Sequence, residues 1–71
     1  MSIKIKVNGK NEEIEGEILL SEFLKLKNIR PEVVTVELNG VIVQRKDYNT
    51  TLIKDGDEIE FVFFMGGGEL F

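Results

Sequence analysis

The chain has 71 residues, with 13 acidic against 9 basic side chains, a formal net charge of −4, and neither Cys nor His. One domain of this size has a small core, and the missing Cys and His exclude a disulfide or zinc staple. They also exclude a thiolate nucleophile and the commonest base near neutral pH, while the acidic balance argues against a nucleic-acid partner. A chain this short has little room for a water-excluding pocket. The expectation is therefore a protein that is not an enzyme, with no catalytic residue, no bound metal and no cofactor.

The start alternates, with Ile3, Ile5 and Val7 set between Ser2, Lys4 and Lys6. That period of two predicts a half-buried strand and no secretory leader. Apolar runs throughout are too short to span a bilayer, so the expected location is cytoplasmic, away from membranes. Asn8-Gly9 follows as a hairpin signal, because both residues tolerate positive φ. A second strand over about Glu12–Glu15 ends at Gly16; with Ile14 its one apolar residue, it reads as an edge strand guarded by glutamates.

From Leu19 the period changes. Leu20, Phe23 and Leu24 share one helical face, flanked by Leu19 and Leu26, with Glu22, Lys25 and Lys27 mostly opposite. Ser21 as N-cap and a start near Leu19 are both open. Asn28 and Pro31 end the helix after two to three turns. Val34, Val36 and Leu38 alternate as a third strand, Asn39-Gly40 repeats the hairpin signal, and Val41–Val43 returns. The polar stretch from Gln44 to Thr51 has room for one helical turn around Arg45–Tyr48, and Leu52-Ile53 re-enter the core. Asp55-Gly56-Asp57 is a turn, and Asp55 and Asp57 are turn residues rather than a metal pair.

The final strand runs from Glu58 to Met65. Ile59, Phe61, Phe63 and Met65 form the core-facing row, and Glu58, Glu60, Val62 and Phe64 the other. Val62 and Phe64 either lie exposed as a partner surface beside Met65 or are covered because the strand is central. Gly66-Gly67-Gly68 follows, and glycine, lacking Cβ, lets backbone pass a narrow slot. Extended, Met65 to Gly68 reaches about 13 Å. Residues 1–65 are expected to form one domain and 66–71 a flexible tail. Hairpin, helix, hairpin and final strand together predict an α+β fold of the β-grasp, ubiquitin-like kind: one main helix packed across a mixed sheet of four to five strands.

Val34-Thr35-Val36-Glu37-Leu38-Asn39-Gly40, Arg45-Lys46-Asp47-Tyr48, Lys54-Asp55-Gly56-Asp57-Glu58-Ile59-Glu60 and Met65-Gly66-Gly67-Gly68 resemble the thiamine-biosynthesis sulfur carriers, the ThiS family. Each piece is generic alone, but the set and its spacing cover nearly the whole chain. The resemblance implies that an ATP-dependent adenylating enzyme activates the terminal glycine carboxylate. A persulfide donor would then convert it to a thiocarboxylate, and thiazole synthase or another acceptor would receive the sulfur. By position Gly67 and Gly68 match the family's terminal pair, so Gly68 would bear the thiocarboxylate and Gly66, Gly67 and Gly68 would enter a partner's active site. Val62, Phe64 and Met65 would dock the body, as a monomer. Glu69-Leu70-Phe71 departs from the pattern. It implies trimming by a zinc metalloprotease, and opens a second route in which sulfur goes to cysteine, homocysteine or another thio-metabolite. A non-catalytic ubiquitin-like interaction module is the remaining alternative.

Overall fold

The computed structural model describes residues 1–63, so the expected partner residues Phe64 and Met65, the glycines and the expected tail 66–71 lie outside the described residues. Strand β1 (Ile3–Val7) turns at Asn8-Gly9 into β2 (Lys10–Ile14), with Val7 facing Lys10 across the hairpin. The φ values of 51° and 82° at Asn8 and Gly9 give the twist a two-residue hairpin requires. Because that loop consumes only two residues, β2 starts at Lys10 rather than near Glu12, and it lies at a sheet edge as expected. Asn39 and Gly40, at 54° and 84°, repeat the turn between β4 (Val34–Leu38) and β5 (Val41–Val43).

Helix α1 (Leu20–Leu26) has no side-chain N-cap. The N–H groups of Leu20 and Ser21 instead donate to the carbonyls of Thr51 and Tyr48, at 2.7 and 3.0 Å, so a distant loop does the work Ser21 could have done. At the other end Asn28 adopts φ 59°. Its N–H donates to Lys25 and that of Ile29 to Leu24, at 3.0 and 2.9 Å, which is a Schellman closure. Ile18–Leu19 (β3) pairs with Leu52–Ile53 (β6) in a two-stranded sheet, and short 3₁₀ turns occupy Pro31–Val33 and Arg45–Asp47.

The final strand β7 (Glu58–Phe63) inserts at the centre of the main sheet, in the order β2-β1-β7-β4-β5. It runs parallel to β1 and antiparallel to β4, so the sheet is mixed and the helix makes the crossover between its halves. The core packs α1 against one face: Leu20, Phe23 and Leu24 meet Ile5, Val34, Val36, Ile53, Ile59 and Phe61, with Tyr48 closing one side. The Phe23 and Phe61 rings lie 6.2 Å apart.

Phe63 departs from expectation. It belongs to the core-facing row yet is 42% exposed, its ring tilted against Phe61 at 6.4 Å. Seven helical residues cover about 10 Å, half the length of a six-residue strand, so the helix does not reach the end of β7.

Candidate functional site: the root of the C-terminal segment

Two asparagines hold β7 from opposite sides. The Asn39 Oδ1 accepts from the Glu58 N–H at 2.9 Å, and the Asn8 Oδ1 accepts from the Phe61 N–H at 2.8 Å. Both side chains come from the first position of a hairpin turn, where the left-handed backbone aims them at the neighbouring strand. Asn39 also donates through Nδ2 to Asp57 Oδ1 at 2.9 Å, while Asp57 Oδ2 accepts from the Lys54 N–H at 2.8 Å. Asp55 Oδ1 accepts from the Lys4 N–H at 2.8 Å. Asp55 and Asp57 thus act as turn residues, and the described residues hold no group of three or more side chains suited to a metal ion.

The sheet face away from the helix follows from register. Val62 faces Thr35, Glu60 faces Glu37, and Glu37 in turn faces Ile42. Val62 is 46% exposed and Ile42 57% exposed. The strand is therefore central and still open on its outer face at its last described residues. Sequence reasoning had Val62 and missed Ile42. The signal was present, since pairing β4 with β5 through the tight Asn39-Gly40 turn puts Ile42 in the row of Glu37. Phe64 and Met65 belong to the expected surface but lie outside the described residues.

Other side chains have structural partners. Glu12 pairs with Lys27 at 2.5 Å, and Glu13 accepts from the Ser2 hydroxyl at 2.6 Å. Burial pushes the Tyr48 phenol up from its ordinary value of 10.0, with Arg45 nearby opposing the shift. No helix among the described residues is long and apolar enough to cross a membrane.

Comparison with known proteins agrees with this architecture. The ThiS family model matches residues 5–68. A crystal structure of a thiamine biosynthesis protein (ThiS) from Geobacter metallireducens is 42% identical, covers 93% of this chain and 100% of its own, and superposes with a TM-score of 0.80. A thiazole synthase from Magnetococcus marinus is 36% identical over 67 residues, which are 94% of this chain and 21% of that protein. The chain thus spans about a fifth of that relative. An uncharacterized protein, ycf40, from Pyropia yezoensis is 30% identical over 94% of both chains. With the β-grasp topology and the family match over nearly its whole length, the chain belongs to the ThiS family.

Proposed function

We propose that Gly68 carries sulfur as a thiocarboxylate, delivered to a partner's active site on Gly66, Gly67 and Gly68. The observation that carries this reading is that the family match runs through residue 68 and stops there. As the sequence stands, the Gly68 carboxyl is tied in a peptide bond to Glu69. That bond is hydrolysed first, by a zinc metalloprotease that trims after glycine. A carboxylate oxygen then attacks the α-phosphorus of ATP in an adenylating enzyme, and pyrophosphate leaves. The terminal sulfur of a persulfide displaces AMP from the acyl carbon, and a thiol reduces the resulting acyl disulfide to release the thiocarboxylate. Thiazole synthase takes up the sulfur, a pairing supported by the relative of that name that contains a segment like this chain.

The body's part is recognition. Val62 on β7 and Ile42 on β5, both exposed on the outer face, form the apolar part of the docking surface, and the sequence reading assigns Phe64 and Met65, outside the described residues, to the same partner contact. Delivery to a different acceptor, yielding cysteine, homocysteine or another thio-metabolite, is the second reading, opened by Glu69-Leu70-Phe71 following the glycines.

The test uses chain ending at Gly68, incubated with ATP, its cognate adenylating enzyme and a persulfide donor. Intact mass spectrometry is expected to show the adenylate and then one sulfur in place of one oxygen. No mass change would sink the proposal. Chain carrying Gly68→Val is expected to fold normally and transfer nothing.

A further inference from the structure

Parallel pairing between β1 and β7 stops early. Lys6 faces Glu58 and Val7 faces Ile59; then the Asn8-Gly9 turn carries β1 away into β2. The last links on that side are the Asn8 N–H to the Ile59 carbonyl at 2.9 Å and the Phe61 N–H to the Asn8 side chain at 2.8 Å. On the other side β4 continues to the end, with Val34 facing Phe63. Backbone groups alternate along a strand. Glu58, Glu60 and Val62 turn theirs toward β4, and Ile59, Phe61 and Phe63 toward β1. The Phe61 carbonyl and the N–H and carbonyl of Phe63 therefore point into the space β1 has vacated, with no hydrogen-bond partner among the described residues.

A central strand thus becomes a one-sided edge at the root of the glycine segment. Edges of this kind accept an extended segment from another chain, with main-chain hydrogen bonds supplying the affinity. Glycines offer a partner only backbone N–H and C=O groups, and an extended segment presents its own N–H and C=O groups at the spacing that matches them. We propose that the adenylating partner adds an extended segment to β7 on the side vacated by β1. Its ladder begins at the Phe61 carbonyl and the Phe63 N–H and sets the register in which the glycines enter. Asn8 is the positioning residue, because its side chain takes the Phe61 N–H and its turn opens the edge just beyond. This rests on the carrier reading above and names how the partner grips it.

The experiment uses chain ending at Gly68, which keeps every described element. Amide hydrogen exchange at Phe63 is measured alone and with the adenylating enzyme, and slowing of at least about tenfold is expected on binding. Unchanged exchange at Phe63 in a complex that forms would overturn the proposal. Separately, Phe63→Pro removes that N–H without touching the β4 pairing, as proline is tolerated at strand edges. Phe63→Ala sets the share of any loss owed to the ring, and the proline variant is expected to lose at least about tenfold more affinity than the alanine one. Equal affinity of the two overturns the proposal; if the proline variant fails to fold, the exchange measurement decides. Failure of the unmodified chain to bind the enzyme at all overturns the carrier reading, and this inference with it.

Discussion

Replacing Val62 and Ile42 tests whether the outer face docks a partner, and the structure sets the size of the effect. Val62→Ala removes two methyl groups and Ile42→Ala three carbons, each worth about 0.8 kcal/mol when taken from water to an apolar site. Only the exposed share remains to be gained on docking, 46% at Val62 and 57% at Ile42. The expected losses are therefore about 0.7 and about 1.4 kcal/mol, or roughly threefold and tenfold in Kd. The two side chains sit on strands separated by β4 and do not touch, so the double variant is expected to lose about thirtyfold. Titration calorimetry against the adenylating enzyme reads these values, and urea unfolding is expected to show each single variant folded, with a stability loss of about 1 kcal/mol for the share already buried in the free chain. Val41 is the control: it is 67% exposed, more than either, but its register partner Leu38 puts it on the opposite face. A Val41→Ala loss equal to that of Ile42→Ala, or a double variant within about twofold of the parent, would refute docking through this face.

Phe23→Ala removes the largest fully buried side chain, at a typical cost of about 3–5 kcal/mol, against a total stability of about that size for a domain this small. The variant is expected to be largely unfolded by circular dichroism at 25 °C, and a cooperative melt close to the parent's would contradict the packing described. Asn39→Gly keeps the left-handed turn but deletes the bonds to Asp57 and the Glu58 N–H, for an expected loss of about 1–2 kcal/mol and a melting drop of about 4–16 °C; no drop would mean those bonds contribute nothing. Glu37→Gln relieves like charges directly opposed across β4 and β7 and is expected to raise stability by about 0.2–1 kcal/mol in a low-salt urea titration, with less gain in high salt. Tyr48 is the one tyrosine, so its ionisation can be followed by absorbance. Its folded value lies above the ordinary 10.0, so the unfolded chain loses the proton first. Stability full below that pH then falls as pH rises through the folded value, and a phenol titrating at or below 10.0 in the folded protein would contradict its burial.

Much of this architecture is local and was legible as such. Alternation at Ile3, Ile5 and Val7 depends on neighbours along the chain, as do the Asn-Gly turns and the apolar face of Leu20, Phe23 and Leu24. The Asn28 ending also needs only one residue able to adopt positive φ. The family resemblance is likewise legible without packing, because it rests on four segments and their spacing, from residues 34–40 through the Asp55-Gly56-Asp57 turn to Met65-Gly66-Gly67-Gly68.

What only the tertiary structure decided depends on which distant segments meet. Two-residue strands at Ile18–Leu19 and Leu52–Ile53 are too short to show a period, and exist because their backbones find each other. The start of α1 is completed by carbonyls of Thr51 and Tyr48, some thirty residues away, so no cap at Ser21 was needed. Phe63 alternates correctly yet stands half in water, because the length of α1, on another segment, determines how far the core extends. The same holds at the candidate site. The residues of the glycine segment are plain in the sequence. That β7 lies central, open on its outer face at Val62 and, among the described residues, unpaired on one edge beyond Phe61, depends on where β1 turns away and on which strand inserts beside it.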